Sequence, residues 1–279
     1  MESQLKGKTA VITGGGGILC GAIAKGLAAD GVHVALLDLN KERAGAIADE
    51  INQAGGSAAG FACNVLDTGS VKQAQAEVLD RFGDYHILIN GAGGNNPKAS
   101  TTHDQFALED VEKEDILSFF DLTKEGFEFV FNLNIMGTLI PTQVFSKRFT
   151  QRASGAILNI SSMNAYRPLT RIPAYSAAKA GVSNFTQWLA MHFAPAGIRV
   201  NAIAPGFFLT EQNRTLLTNP DGSLTERSEK ILRNTPMNKF GVPEDLVGAT
   251  EFLIDDAKAG FITGVILPID GGFSAYSGV

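Results

Sequence analysis

The sequence predicts an α/β fold in which one doubly wound parallel sheet is covered by helices on both faces. Short β-branched runs alternate with alanine-rich helical stretches along the chain, and the runs themselves are uniformly apolar. Strands that are apolar on both sides are typical of parallel sheets buried between two helical layers. We find no linker, internal repeat or low-complexity tract, so residues 1–279 are predicted to form a single domain.

The first part of the chain carries four predicted strands and three predicted helices in strict alternation. The strands are expected at residues 9–13, 32–37, 57–63 and 87–89, and the helices at 22–29, 41–53 and 70–82. Asp30-Gly31 and Gly55-Gly56 follow the first two helices. Glycine commonly ends a helix, which supports these boundaries.

The second part continues the alternation with longer elements. A helical stretch is predicted at 123–150 with a kink at Pro141, then strands at 156–160, 198–203 and 265–269 and helices at 174–194 and 243–254. Two irregular segments, at about 91–122 and about 206–240, follow strands. Ligands of open α/β sheets bind outside the carboxyl ends of the strands. We therefore predict an active-site segment at 91–122 and a substrate loop at 206–240.

Composition excludes several classes of protein. The net charge of −6 disfavours binding to the phosphate backbone of a nucleic acid. Cys20 and Cys63 are too few for a disulfide framework and suit a reducing compartment. The four histidines have no metal-ligand spacing, and no apolar run is long enough to cross a membrane. Without a secretory signal, the sequence predicts a cytoplasmic protein that uses no metal.

A glycine-rich turn, Thr13 to Gly17, lies between the first predicted strand and the first helix. Glycine permits positive φ and close approach of the backbone to a diphosphate, and the helix N-terminus offers free N–H groups. Asp38 closes the second strand, 24 residues after Gly14, where a carboxylate can bind the adenosine ribose hydroxyls. Because this carboxylate repels a 2′-phosphate and Leu39 is not basic, the sequence favours NAD, with NADP as the alternative.

Several motifs in order resemble those of the short-chain dehydrogenase/reductase family over essentially the whole chain. They are Thr13-Gly14, Asn90-Gly91-Ala92-Gly93, Asn134 with Gly137, Ser161-Ser162, Tyr175 with Lys179, and Pro205-Gly206 with Thr210. The resemblance implies a Rossmann-like sheet of about seven strands in the order 3-2-1-4-5-6-7. It also implies an NAD(P)-dependent dehydrogenase or reductase that acts on CH–OH groups.

The resemblance assigns four residues to the chemistry. Tyr175 would accept or donate the substrate hydroxyl proton, and Ser162, rather than Ser161, would hold the substrate oxygen. Lys179, four residues after Tyr175 and on the same helix face, would favour the phenolate and bind the nicotinamide ribose. Asn134, rather than Asn132, would hold a water that links Lys179 to solvent.

The resemblance also assigns the cofactor contacts. They are Gly14, Gly16, Gly17, Ile18, Leu19, Asp38, Asn64, Val65, Asn90, Ala92, Gly93, Tyr175, Lys179, Pro205, Gly206 and Thr210. The family pattern has glycine where this chain has Ile18 and Cys20. Ile18 should therefore bring a Cβ to the point where the backbone approaches the pyrophosphate, whereas Cys20 is small enough to preserve close packing of helix on strand.

Further segments are similar to one subgroup of this family, the D-mannonate oxidoreductases, which are also called fructuronate reductases. They are residues 90–98, 159–168 and 205–214 and the terminal Ser-Ala-Tyr-Ser-Gly-Val. These enzymes interconvert a sugar acid and its keto acid. A substrate carboxylate needs a cation or several donors, so we predict substrate contacts from Asn95, Asn164 and Arg171. Further candidates are Asn96, Lys98, Arg167 and Arg214.

Other functions remain open at this stage. Ser176 and Lys179 match the Ser-x-x-Lys motif of a hydrolase, but its partner motifs are missing from the sequence. A non-catalytic dinucleotide sensor would keep the glycine turn, and another short-chain dehydrogenase could act on a polyol, a gluconate-type acid or a ketoacyl thioester. The family implies a homotetramer or homodimer, and a C-terminal tail with Phe273 and Tyr276 fits a subunit contact.

Overall fold

A computed structural model describes residues 4–210 and 214–278, without the side chains of residues 214 and 215. Its centre is a seven-stranded sheet in the order β3-β2-β1-β4-β5-β6-β7, in which every neighbouring pair is parallel. The strands are β1 (Thr9–Thr13), β2 (His33–Asp38), β3 (Ser57–Ala62), β4 (Ile87–Asn90), β5 (Gly155–Ile160), β6 (Ile198–Pro205) and β7 (Ile266–Ile269). The predicted fold class and strand order are confirmed, and the division into domains stays a prediction.

Helices cover both faces of this sheet. They are α1 (Ile18–Ala29), α2 (Lys41–Gln53), α3 (Thr68–Phe82), α4 (Lys124–Phe131), α5 (Gly137–Arg152), α6 (Pro173–Phe193), α7 (Arg214–Leu217), α8 (Glu226–Arg233), α9 (Val247–Ile254) and α10 (Asp256–Ala259). None of the helices described is both long and apolar enough to cross a membrane.

Neighbouring residues of one strand pack into opposite cores, which explains why the strands are mainly apolar on both sides. Ile12 in β1 belongs to a cluster with Ile23 and Leu27 of α1. Val11, the residue before it, belongs to a second cluster with Phe145 and Phe149 of α5. Side chains of a strand alternate between the two faces of a sheet. Both faces are buried here, so both alternating sets are mainly apolar, and the buried polar side chains among them, such as Asn90 and Asn159, are hydrogen-bonded.

The predicted helical stretch at 123–150 is helical without a break, but it is not one regular α-helix. The structure has a π-helical turn, Asn132–Met136, between α4 and α5. Pro141 lies inside α5. The ring of a proline clashes with the carbonyl four residues before it, here that of Gly137. The irregular turn of the helix ends directly before Gly137, one turn before Pro141, and π-turns are a known cause of helix kinks.

Two other predicted boundaries differ from the structure. α1 begins at Ile18, directly after Gly17, rather than at residue 22. The predicted loop at 206–240 contains α8, in which the Thr225 hydroxyl accepts a hydrogen bond from the Ser228 N–H. α8 begins with acidic residues and ends with Lys230 and Arg233, an order that suits the helix dipole. The segment 91–122 is irregular as predicted, with three short 3₁₀ turns.

Candidate active site

The predicted site residues gather at the carboxyl edge of the sheet, where β1, β4, β5 and β6 lie side by side. Thr13 pairs with Asn90 across β1 and β4, and Asn90 pairs with Asn159 across β4 and β5. Beyond these strands the chain continues into the glycine turn and the segments that carry Gly93, Ser162 and Gly206. Parallel strands thus bring residues far apart in sequence to one edge.

Tyr175 and Lys179 lie on one face of α6, one turn apart, near the start of the helix. The Tyr175 side chain is hydrogen-bonded to that of Ser162. The Lys179 Nζ lies 5.7 Å from the centre of the Tyr175 ring and donates to the carbonyl of Ile160 at 2.7 Å. The structure therefore brings together three of the four residues predicted to carry the chemistry.

The two adjacent serines after β5 have different environments. Ser162 accepts a hydrogen bond from the Asn164 N–H at 3.3 Å and faces Tyr175. Ser161 instead lies 2.7 Å from the Ser183 hydroxyl and donates to the carbonyl of Lys179. Ser161 is thus occupied with packing β5 against α6, and only Ser162 reaches Tyr175.

Asn134 is fully buried in the π-turn and contacts the segment after β4. Its amide nitrogen donates to the carbonyls of Gly94 and Val130, both at 2.8 Å. A Cβ added to Gly93 would lie 2.7 Å from the Asn134 Oδ1 and 3.0 Å from the Lys179 Nζ. Gly93 therefore keeps open the space between these two polar groups. Asn132, the alternative, is exposed.

Burial shifts the ionisation of both helix residues away from the charged form. Desolvation raises the pKa of Tyr175, and its hydrogen bond with Ser162 only partly opposes that shift. Desolvation lowers the pKa of Lys179 to about 8. In the site without ligand, the tyrosine is therefore a neutral phenol at pH 7, and the lysine titrates close to the physiological range.

The glycine-rich turn is tightly folded against β4. Gly14 has φ +64°, and a Cβ there would lie 2.9 Å from the backbone nitrogen of Ala92. The Gly17 N–H donates to the carbonyl of Gly14 at 3.0 Å. Gly17 is also the residue before α1 and has no side chain to cap the helix. The first N–H groups of α1, including those of Ile18 and Leu19, therefore lack a side-chain cap.

Asp38, the last residue of β2, is hydrogen-bonded to the same glycine-rich turn. Its Oδ2 accepts a hydrogen bond from the Gly16 N–H at 3.0 Å, and its Oδ1 accepts one from the Asn40 N–H at 2.9 Å. A Cβ on Gly16 would lie 3.1 Å from the Asp38 Oδ2. The carboxylate is thus held beside the turn, and the neighbouring Leu39 is 78% exposed.

The two departures from the family glycine pattern have different structural consequences. Ile18 is the first residue of α1 and is 39% exposed. Cys20 is buried, and a Cβ on Gly91 would lie 2.2 Å from its sulfur. The family pattern has a glycine at position 20, which leaves room for the facing segment. Here the facing residue, Gly91, has no side chain, and this leaves room for the Cys20 sulfur. Close packing of α1 against the sheet is preserved in this way.

The remaining predicted cofactor residues lie along the same edge with unequal access. Asn64 is exposed after β3, and Val65 is buried against Gly137. The amide nitrogen of Asn90 donates to Thr142 and Asn159 inside the protein. Half-buried positions are occupied by Leu19, Ala92, Gly206 and Thr210, whereas Gly93 is exposed and Pro205 is buried at the end of β6.

Asn164 is the predicted substrate residue with the most distinctive environment. It is 4% exposed, and its Oδ1 has no hydrogen-bond partner among the described residues. Asn95 is exposed, with its amide donating to the Ser100 hydroxyl at 3.0 Å. Arg171 is exposed, has φ +73° and donates from Nε to the carbonyl of Thr101 at 3.1 Å.

The further cationic candidates are less central. Arg167 donates to the carbonyl of Tyr276 in the C-terminal tail at 2.7 Å. Lys98 is exposed, and its N–H is bonded to the Asn96 side chain at 2.9 Å. The side chain of Arg214 lies outside the described part of the protein.

The Ser-x-x-Lys motif of a hydrolase is not supported by the contacts of its two residues. Ser176 is buried in α6, and the amine of Lys179 donates to the carbonyl of Ile160 rather than to Ser176.

Sequence reasoning missed the role of Thr13. Its hydroxyl, at the end of β1, accepts hydrogen bonds from the N–H groups of Gly91 and Ala92 at 3.1 and 3.3 Å. These bonds join the glycine turn to the segment after β4. The available signal was a threonine at the carboxyl end of a buried strand, which needs an adjacent donor.

Comparisons with known proteins identify the family of the chain. The family model described as short chain dehydrogenase matches residues 8–221. An "uncharacterized oxidoreductase" of Haemophilus influenzae is 54% identical over 99% of this chain and 96% of its own. The "uncharacterized oxidoreductase UxuB" of Bacillus subtilis is 51% identical over 100% of this chain and 99% of its own.

A solved structure from Haemophilus influenzae gives the same result for the fold. It is named as a proposed D-mannonate oxidoreductase with bound NAD and is 54% identical, with a TM-score of 0.94. The match covers 99% of this chain and 98% of that one. The family model and the relatives each span most of the sequence. This protein therefore belongs to the short-chain dehydrogenases, which are NAD(P)-dependent oxidoreductases.

Proposed function

We propose that the enzyme transfers hydride between NAD(H) and a sugar acid, interconverting D-mannonate and D-fructuronate. The observation that carries the proposal is the contact of the half-buried Tyr175 with the buried Ser162, one helical turn from Lys179, at the carboxyl edge of the sheet. This arrangement provides a proton donor and a polar anchor at one point. The resemblance of residues 90–98 and 159–168 to the mannonate subgroup supports the choice of substrate.

The residues present fit a nicotinamide dinucleotide. Gly14 leaves no room for a side chain beside Ala92, and the uncapped N-terminus of α1 offers N–H groups to a diphosphate. When bound, the nicotinamide gives hydride to a ketone carbon or takes it from an alcohol carbon. Asp38 would bind the adenosine ribose hydroxyls, and Lys179 the ribose at the nicotinamide end.

Tyr175 is suited to give a proton to the substrate oxygen during ketone reduction. Burial raises its pKa, so the phenol carries its proton at neutral pH. Ser162 would hold the same oxygen as negative charge develops on it. Lys179, with a pKa of about 8, lies close enough to stabilise the tyrosinate that remains. Asn134 and Lys179 face each other across Gly93, where a water could return a proton to the site.

Asp38 supports NAD as the preferred cofactor. Its two oxygens are fixed by the N–H groups of Gly16 and Asn40, so the carboxylate cannot turn away from a 2′-phosphate. No basic residue follows it directly, since position 39 is leucine. The related structure from Haemophilus influenzae contains NAD, which agrees with this preference.

Asn164 would bind a hydroxyl or carboxylate group of the substrate. Its buried Oδ1 has no described partner, and an unsatisfied buried acceptor costs about 1–3 kcal/mol. A substrate hydroxyl that donates to this oxygen would remove that cost. Asn95 and Arg171, on the segments beside it, would contact the outer part of the sugar acid.

The test is a spectrophotometric assay with a panel of substrates. NADH and NADPH are each supplied with D-fructuronate, other keto sugar acids and a ketoacyl thioester, and NAD with D-mannonate, gluconate and polyols. We expect the highest kcat/KM for D-fructuronate with NADH. A polyol or ketoacyl substrate that is turned over faster than D-fructuronate would contradict the proposed substrate.

A further inference from the structure

Asp104 joins the three segments that leave the carboxyl ends of β4, β5 and β6. Its Oδ1 accepts a hydrogen bond from the Thr170 hydroxyl at 3.0 Å. Its Oδ2 forms an ion pair with Lys230 of α8. Asp104 belongs to the segment 91–122, Thr170 precedes α6, and Lys230 belongs to the segment 206–240. One carboxylate therefore connects parts of the protein that are 66 and 126 residues away from it in sequence.

A second connection lies beside the first. The Thr101 N–H donates to the carbonyl of Arg171 at 2.8 Å, and the Arg171 Nε donates to the carbonyl of Thr101 at 3.1 Å. Arg171 has φ +73°, which costs energy for a residue with a side chain. The strained backbone and its two bonds fix the segment directly before α6, the helix that carries Tyr175.

We propose that Asp104 is a positioning residue that holds the segments after β4 and β6 together as one wall of the substrate cleft. We call Asp104, Thr170 and Lys230 the Asp104 clasp. This role rests on the proposed function, since the clasp spans the edge at which the sugar acid would bind. The lowered pKa of Asp104, caused first by its bond with Lys230, agrees with a carboxylate that is ionised at neutral pH.

The clasp should act on substrate binding more than on the chemical step. None of its members contacts Ser162, Tyr175 or Lys179 in the described hydrogen bonds. Asp104 and Lys230 are 38% and 60% exposed, so their pairing is worth at most about 1 kcal/mol. That energy corresponds to about a fivefold change in KM. The value of kcat should stay within about twofold.

A double-mutant cycle tests the pairing. Asp104→Asn, Lys230→Gln and the double variant are assayed with D-fructuronate and saturating NADH. We expect each single variant to raise KM by up to about fivefold and the double variant to raise it no further, because the pair acts as a unit. Lys230→Arg keeps the charge and should keep KM near that of the wild type. Additive effects of the two single variants would overturn the proposal.

A matched control separates the clasp from a general loss of surface charge. Lys124→Met breaks another exposed ion pair, with Glu128 inside α4, in which the two side chains are 76% and 53% exposed. We expect this variant to leave KM unchanged. If it raised KM as much as Asp104→Asn does, the effect would not belong to the clasp and the proposal would be wrong.

Hydrogen exchange gives a measurement that needs no substrate. The amide of Thr101 is bonded across the segments to Arg171, so its exchange reports whether the wall is held. In the NADH complex, Asp104→Asn should speed this exchange at least about threefold, whereas Lys124→Met should not. Unchanged exchange in Asp104→Asn would refute the clasp. If the wild type reduced none of the sugar acids, the proposed function would fail, and exchange alone would decide on the clasp.

Discussion

Replacing Lys179 by methionine should change the stability of the cofactor-free protein in a way that depends on pH. Lys179 is 4% exposed, and burial lowers its pKa from 10.5 to about 8. Because the native-state pKa lies below that of the unfolded protein, the unfolded protein binds more protons between these values. The wild type is therefore penalised in full below pH 8, and its stability increases as pH rises from about 8 to 10.5.

The size of this stability difference follows from the shift in the pKa of Lys179. A difference of about 2.5 pKa units corresponds to about 3 kcal/mol at 1.36 kcal/mol per unit, and most of it applies at pH 6.5. At pH 9.5 the native lysine is largely neutral, and about 1 kcal/mol of the penalty remains. Methionine has no charge to bury. The stability of Lys179→Met relative to the wild type should therefore be about 2 kcal/mol more favourable at pH 6.5 than at pH 9.5.

Urea unfolding at the two pH values measures this difference at fixed protein concentration. Lys124→Met is the control, since Lys124 is exposed and its pKa is raised by Glu128, so its charge does not change in this range. That variant should show the same stability difference at both pH values. If the relative stability of Lys179→Met were the same at pH 6.5 and 9.5, the pKa of Lys179 would not be depressed as described.

Three other substitutions or reagents test separate parts of the structure. Gly93→Ala should lower kcat by on the order of 100-fold, because the new Cβ would displace the side chain of Asn134 or Lys179. Gly94→Ala is the control and should change kcat little, because its Cβ would only come within 3.4 Å of the Leu133 side chain. Arg199→Met should lower the free energy of unfolding by about 2 kcal/mol in urea, since it removes the Arg199 donor from the Asp256 Oδ1 and from the carbonyl of Leu253, although Lys8 still pairs with the Asp256 Oδ2; turnover should stay unchanged. Iodoacetamide at pH 8 should modify neither cysteine of the folded protein, because burial raises the pKa of Cys20 to about 12 and of Cys63 to about 11; mass spectrometry showing native labelling would contradict this.

The fold was predictable because each strand carries a local signal. All five residues of β1 and all eight of β6 are buried, and most of them are apolar. The polar exceptions in β6, Arg199 and Asn201, donate to the carbonyls of Leu253 and Ile262. The π-turn at Asn132–Met136 has no comparable local signal. Its Asn134 donates to the carbonyl of Gly94, which belongs to a different part of the sequence. α8 did carry a local signal, the cap at Thr225 followed by acidic and basic residues.

The site was predictable where its residues lie close in sequence or follow a strand. Tyr175 and Lys179 are one turn apart, and Ser162 is the second residue after β5, so the structure brings them together as expected. Contacts that depend on strand register were not predictable. The bonds of Thr13 to Gly91 and Ala92 require β1 and β4 to be neighbours, and the pairing of Asp104 with Lys230 requires two irregular segments to meet.

The most direct test of the proposed chemistry is turnover by Tyr175→Phe. Phenylalanine keeps the ring and removes only the hydroxyl that is hydrogen-bonded to Ser162. We expect kcat for D-fructuronate reduction to fall by on the order of 1,000-fold, the size typical of a lost proton donor. The Kd for NADH, from fluorescence titration, should stay within about threefold, a shift of less than 1 kcal/mol. A variant that binds NADH and turns over D-fructuronate at the wild-type rate would show that Tyr175 does not move the proton.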